Sequence, residues 1–298
     1  MSTTVIDRSR AFLRLVVIEH SVFALPFAYL AGLTVMHRRD PDAGTIGWIR
    51  WDVLLLITVA MVAGRTFAMA VNRIIDRHID AGNPRTANRE LVTGAVSLRT
   101  AYVGSGVALV VFFAAAALLN PLCLWLSPLA IAPMVVYPYG KRFTDVPHAL
   151  LALAQFVAPV GAWLAVTGTV ADSLPGIVLG AAVGLWIGGF DLIYACQDVA
   201  ADRANGVRSF PARFGIAASL HTSTVSHVVT FGLFVWFGVL VDYGLLFWIG
   251  LAITAVVFAY EHAIVKADDL SRLNRAFFTA NGVVGIVLFV FALADLLL

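Results

Sequence analysis

Residues 52–80 read DVLLLITVAMVAGRTFAMAVNRIIDRHID, an apolar run long enough for a membrane helix that closes on Asn72, Asp76 and Asp80. At about 100° per residue, each step of four advances the side chain by only about 40°, so the three share one helix face across two turns. A second stretch, residues 191–202, DLIYACQDVAAD, places Asp191, Asp198 and Asp202 at the end of another apolar run. Read as one helix, a step of seven falls about 20° short of two turns and a step of four overshoots one by about 40°, giving a narrow acidic stripe. Carboxylates are costly inside a membrane helix, and repeated ones at its end read as a functional site with a cationic partner.

The rest of the chain supplies the membrane context. Of 298 residues 60% are hydrophobic and only 13% charged, more apolar surface than one soluble core hides, so the solvent is lipid. Nine stretches near span length follow one another, at about 12–36, 52–72, 98–119, 122–138, 149–169, 174–195, 216–240, 243–262 and 277–298. Asn120-Pro121 between the third and fourth is a turn signal for a tight helical hairpin. The longest polar segment is the 73–97 loop. Span 6 and its acidic sequel echo span 2 and its own. The reading is an all-α membrane protein, a single polytopic domain over 1–298, with nine transmembrane helices in a bundle. The N-terminus carries Asp7 and shows no small-residue cleavage site, so no removable signal peptide is expected. The two cysteines, Cys123 and Cys196, are too few for a disulfide framework or a zinc site and read as packing residues.

Charge placement gives sidedness. With nine spans, one face receives Arg8, Arg10, Arg14, Arg73, Arg77, Arg85, Arg89, Arg99, Lys141, Arg142, Arg203, Arg208, Arg213, Lys266, Arg272 and Arg275, which is 16 of the 20 basic residues. The other face has Arg38, Arg39 and Arg50, and Arg65 stays within a span. Basic loops lie on the cytoplasmic side, so both acidic clusters belong to a cytoplasm-facing mouth in the inner (cytoplasmic) membrane.

Two opposed rows of hard oxygen ligands suit Mg²⁺, which completes its octahedron with waters and substrate phosphates. Arg73, Arg77, Arg85 and Arg89 follow the first row, Lys141 and Arg142 end span 4, and Arg203 and Arg208 follow the second. A lipid diphosphate at the membrane surface matches this balance of charge and solvent. A cation-coupled transporter is the rival, since acids within helices also mark ion pathways, but transport favours acids near the bilayer midplane.

At these residues the chain resembles the UbiA superfamily of intramembrane prenyltransferases, whose acidic motifs have the pattern NxxxDxxxD and DxxxD. The first is matched by Asn72, Asp76 and Asp80, the second by Asp198 and Asp202, with Asp191 seven residues upstream as in members with aromatic acceptors. The likeness covers nearly the whole chain, through GRTFAMAVNRIIDR, NPRTANRELVTG, YPYGKRFT, FDLIYACQD and VRSFPARFG. Near the start FALPFA, with YACQD and SFPARFG, most resembles the 4-hydroxybenzoate polyprenyltransferase branch or the menaquinone enzyme of the futalosine route. Glu90 stands where many 4-hydroxybenzoate enzymes have proline, which favours the menaquinone branch.

The resemblance implies Mg²⁺-dependent transfer of a polyprenyl group from polyprenyl diphosphate to a ring carbon of a small aromatic carboxylate. One Mg²⁺ would sit on Asn72, Asp76 and Asp80 and another on Asp198 and Asp202; Lys141, Arg142 and Arg208, with Arg73 and Arg77, would grip the diphosphate. Arg65 would hold the acceptor carboxylate. Asp191 would orient the acceptor or take its ring proton, and Tyr137 and Tyr194, with Phe67, Tyr139 and Phe190, would shelter an allylic cation. Glu19-His20 is a further candidate for the acceptor pocket, whereas His148 and Glu261-His262 read as interface residues. Haem, chlorophyllide or a glycerol phosphate lipid are the runner-up acceptors. The expected partners are these substrates and the bilayer; neither nucleic acid nor an obligatory protein partner is expected.

Overall fold

Polar groups of the backbone must be satisfied internally in lipid, and the chain meets this with helices throughout. The computed structural model describes residues 24–298 and, among them, contains no strand, only an isolated bridge between Lys266 and Asp269. In chain order the helices are α1 (Leu25–Arg39), the short α2 (Gly44–Gly47), α3 (Trp51–Ala81), the short α4 (Glu90–Thr93), α5 (Leu98–Leu119), α6 (Pro121–Phe143), α7 (Pro147–Thr167) and α8 (Leu174–Ala195). A 3₁₀ turn (Cys196–Asp198) leads to the short α9 (Val199–Ala204) and α10 (Phe210–Phe214). Then come α11 (Ile216–Leu240), α12 (Leu245–Ile264), a π-helical segment (Arg275–Ala280) and α13 (Asn281–Leu297).

Eight of the described helical stretches are long and apolar enough to cross a membrane. These are spans 2 to 9 of the sequence reading; α1 is the described part of span 1, whose start lies outside the described residues, as does Glu19-His20. The Asn120-Pro121 hairpin forms as expected: Asn120 accepts from the Cys123 backbone N–H at 2.9 Å while its amide reaches the Leu164 and Ala165 carbonyls, and Pro121 opens α6.

Two boundaries differ from the sequence reading. Helix α3 does not stop near residue 72 but runs on through Asp80 to Ala81, so the loop begins at Gly82 rather than at residue 73. Its 31 residues make a rod about 46 Å long, well beyond a hydrocarbon core of about 30 Å, which carries the acidic row out to the interface. The second row is not one continuous α-helix: α8 ends at Ala195, the chain tightens through the 3₁₀ turn, and Asp202 rides on α9.

Helix α8 is the axis of the bundle. Its most apolar window is 78% buried, against 17–50% for the other spans, and it packs on α7 and α11. Small residues make this possible, because lipid offers no hydrophobic drive and close backbone approach supplies the dispersion energy instead. A Cβ on Gly180 would lie 2.8 Å from the Phe156 carbonyl oxygen, and one on Gly184 would lie 2.6 Å from that of Ala152. Around the other face of α8 an aromatic core closes the bundle, with Phe27 stacked on Phe234 at 5.7 Å and tilted against Trp186 at 5.2 Å.

Candidate active site

Three loops meet at one end of the bundle: the one after α3, the one after α6 and the one after α9. The Asn205 amide donates to the Gly82 carbonyl at 3.0 Å, and a Cβ on residue 82 would lie 2.7 Å from Asn205 Oδ1, so the two acid-bearing segments approach closely there. The Arg208 backbone N–H donates to the Lys141 carbonyl at 3.0 Å. Both acidic rows therefore lie at the same end, as the sequence reading required. The opposite end holds Arg39, which donates to the Val166 and Thr167 carbonyls.

The acids are met by bases one by one. Asp76 is wholly buried; Lys141 Nζ donates to its Oδ2 at 2.8 Å and Arg142 Nη1 to its Oδ1 at 3.3 Å. Asn72 Nδ2 donates to the same carboxylate at 3.4 Å. Asp80 Oδ1 is paired with Arg89, while its Oδ2 is buried without a partner. Asp198 is gripped from two sides, by Arg85 through Nε at 2.9 Å and Nη2 at 2.6 Å, and by Asn83 Nδ2 at 2.9 Å. Burial works against the charge on Arg85, yet its bonds to Asp198 outweigh that and raise the guanidinium above its ordinary value. Ser209 Oγ donates to Asp202 Oδ2 at 2.7 Å.

The other expected phosphate ligands are placed less uniformly. Arg208 Nη1 donates to the Phe143 carbonyl at 2.8 Å and so braces the Lys141-Arg142 turn. Arg77 turns toward His78 at 3.1 Å, away from the acids, because the step from Asp76 rotates it by about 100° to the next face. Arg73 is buried with its Nε unpartnered, on the face of α3 that meets the apolar cluster of Ala70, Leu91 and Ala101.

Deeper in the bundle, α7 and α8 run antiparallel, and the first turn of one faces the last turn of the other. His148 Nδ1 lies 2.6 Å from Asp191 Oδ2, and its Nε2 is buried without a partner. This corrects the reading of His148 as an interface residue: Pro147 opens α7 at this end, and the glycines of α8 draw it in. Arg65 Nε is also shut off from solvent and unpartnered, and Tyr137 lies within electrostatic reach of Arg65, Asp76 and Asp191. The Tyr194 ring stacks on Phe277 at 3.9 Å beneath the Arg85 guanidinium, and Phe190 meets Phe277 edge-on. Phe67 is buried. Tyr139 is not a wall of this pocket: it is 47% exposed, with the Arg142 guanidinium 5.5 Å from its ring centre.

Among the residues that hold this arrangement, His148 carries no motif signature, and Asn83 opens the NPRTANRELVTG segment, where nothing local marks it as a partner of Asp198. Arg85 and Arg89 stood out only as loop cations; their pairing with Asp198 and Asp80 comes from the fold of the 82–93 segment. Glu261 and His262 are not interface residues either, since Glu261 is fully buried and His262 bonds to His227.

The donor set fits a divalent cation. All the acids at the mouth offer hard oxygens, and one buried carboxylate oxygen of Asp80 has no protein partner. The fold and this cluster define a polytopic membrane protein with a charged, oxygen-rich mouth at one end. Residues 43–283 match the model of the UbiA prenyltransferase family, and the chain belongs to that family. It is 34% identical over 240 residues to the 4-hydroxybenzoate solanesyltransferase of Synechocystis sp., covering 78% of this chain and 80% of the relative. It is 32% identical over 268 residues to the 4-hydroxybenzoate octaprenyltransferase of Nitrosococcus oceani, covering 90% of each. The structure of a UbiA homolog from Aeropyrum pernix K1 superposes with a TM-score of 0.83 at 34% identity, covering 93% of this chain and 98% of the other. The fold is also shared, at TM-score 0.71 and 20% identity over 96% of this chain and 98% of the other, with a UbiA homolog from Archaeoglobus fulgidus bound to DMAPP and Mg²⁺.

Proposed function

We propose that this protein transfers a polyprenyl group from its diphosphate to a ring carbon of an aromatic acid, 4-hydroxybenzoate or a dihydroxynaphthoate, in quinone biosynthesis. The observation that carries the reading is the meeting of two acidic rows and their bases, Lys141, Arg142, Arg85 and Arg89, at one end of the bundle. The named relatives act on 4-hydroxybenzoate, which makes that the acceptor to test first.

Asn72, Asp76, Asp80, Asp198 and Asp202 would hold Mg²⁺, which when bound supplies positive charge to the leaving diphosphate. The bases now paired with these acids would turn to the phosphate oxygens, where charge develops as the allylic C–O bond breaks. The diphosphate leaves with the electron pair. A ring carbon of the acceptor attacks the allylic carbon, a C–C bond forms, and the ring proton passes to Asp191, whose carboxylate His148 orients. Arg65 fits the acceptor carboxylate, being a cation whose Nε is buried with no partner and so has a donor to spare. Tyr194 and Tyr137 turn aromatic or phenolic surface toward the developing cation. The positive-inside rule puts the mouth on the cytoplasmic side of the inner membrane.

A transporter fits less well, because the acids of both rows lie at one end of the bundle, beside bases, instead of lining its middle. The test is to incubate membranes with geranyl diphosphate, Mg²⁺ and each acceptor, and to identify products by mass. Prenylated aromatic acid formed by the wild type and lost in Asp76→Ala and Asp198→Ala supports the reading; product formation unchanged in either variant refutes it.

A further inference from the structure

On the far side of α8 from the acidic mouth, three ligand atoms converge, from His227, Glu261 and His262. His227 Nε2 faces the Trp186 carbonyl oxygen at 3.2 Å, and because a carbonyl only accepts, Nε2 carries the hydrogen. The lone pair of a neutral His227 is therefore on Nδ1. Thr224 Oγ1 lies 2.9 Å from the Leu220 carbonyl and 3.1 Å from His262 Nδ1. With its single hydrogen on the carbonyl, it accepts from His262 Nδ1, and the lone pair of a neutral His262 is then on Nε2. These two lone pairs face each other at 2.9 Å. Glu261 joins them: its Oε1 is anchored by the Asn281 amide at 2.8 Å, while its Oε2 is buried, unpartnered in hydrogen bonding and 3.5 Å from His227 Nδ1.

In that arrangement the three electron-rich atoms repel unless a proton or a metal ion sits between them. They lie within 4.8 Å of one another, close enough that small side-chain shifts would bring all three to one ion about 2.0–2.2 Å away. His227 also donates through its other nitrogen to the Trp186 carbonyl, the arrangement that sets the tautomer and aims a metal ligand, and His262 Nδ1 meets the Thr224 hydroxyl. Neighbouring residues on a helix diverge by about 100°, yet Glu261 and His262 converge here because His227 of α11 stands in the groove between them.

We propose that His227 Nδ1, Glu261 Oε2 and His262 Nε2 form a binding site for a divalent transition metal of the zinc class. Two imidazoles and one carboxylate favour such an ion over Mg²⁺, which takes oxygen donors. His262 is part-exposed, and a fourth, small ligand entering from that flank would complete the coordination. The ion would tie α11 to α12 and, through the Asn281 amide and the Trp186 indole that donates to it at 2.7 Å, to α13 and α8. The site is separate from the acidic mouth and does not depend on the proposed reaction.

The experiment uses the full chain in detergent micelles, freed of any affinity tag. It is loaded with Zn²⁺ or Co²⁺ under excess Mg²⁺ to fill oxygen-only sites, then desalted. The expected result is an equimolar amount of retained zinc, and a Co²⁺ spectrum of a four- or five-coordinate ion bound by nitrogen. His262→Ala and Glu261→Gln each lower retention about ten-fold or more while eluting as the same monodisperse species. Asp198→Asn leaves retention unchanged. Wild-type protein that retains no zinc, an imidazole NMR signature of a shared proton persisting after loading, or equal retention in His262→Ala would overturn the assignment.

Discussion

His148 Nδ1 and Asp191 Oδ2 lie 2.6 Å apart, a bond between the first turn of α7 and the last turn of α8. An ionised carboxylate only accepts, so the imidazole donates and fixes which oxygen Asp191 presents to the chamber. General base work contributes about 10²–10⁴-fold, and Asp191→Asn is expected to lower kcat by that order while the KM for prenyl diphosphate stays near wild type. His148→Ala should lose less, and His148→Gln, which keeps a donor, should recover part of it. Steady-state kinetics of the three variants check this; losses confined to KM would assign the pair to substrate binding instead.

Asp76 is buried between two cations, and its loss has a cost separate from catalysis. Asp76→Asn leaves Lys141 and Arg142 facing a neutral amide; with both cations part-exposed, the destabilisation expected is about 1–3 kcal/mol, between the surface and buried limits. Asp76→Asn with Lys141→Met should regain stability but not activity. Thermal unfolding in detergent alongside a transfer assay separates the two effects.

The sequence carries the bundle because apolar length, basic loops and the four-residue step of the acids all act locally along the chain. Asp76 and Asp80 share the face their spacing dictates. His148 was not legible as a partner of Asp191, since nothing local in either stretch reports that α8 is thin enough at Gly184 and Gly188 for α7 to close on it. The same holds for His227, Glu261 and His262, which come from two helices and meet only through packing. The 3₁₀ turn at Cys196–Asp198 broke the stripe assumed for the second row, because a 3.6-residue period applies only while the helix stays α.

Arg85 grips Asp198 through two nitrogens, so it competes with a metal for that carboxylate and also stands where a phosphate would lie. Arg85→Ala is expected to act in opposite directions on the two ligands. Charge-assisted bonds are worth about 1.5–3 kcal/mol, so the KM for prenyl diphosphate should rise about ten-fold or more, while half-saturation by Mg²⁺ falls. Titrating each ligand at saturating levels of the other reads both; a rise in both constants would place Arg85 on the metal's side of the site.

Gly184 and Gly161 offer a matched pair for testing how α8 positions the chamber. A Cβ at 184 would lie 2.6 Å from the Ala152 carbonyl oxygen, and backbone on the neighbouring helix cannot swing aside. Gly184→Ala should therefore push α7 away from α8 at a cost of about 1–3 kcal/mol, and should lower kcat by loosening His148, about one turn from Ala152, from Asp191, about two turns from Gly184. Gly161, inside α7, has nothing within 4 Å of its added Cβ, and Gly161→Ala should leave activity intact and stabilise by about 0.5–1 kcal/mol through reduced backbone freedom. Thermal midpoints and transfer rates of the two variants, measured side by side, decide it: equal behaviour would mean that helix propensity, and not the close approach of α7 and α8, governs both positions.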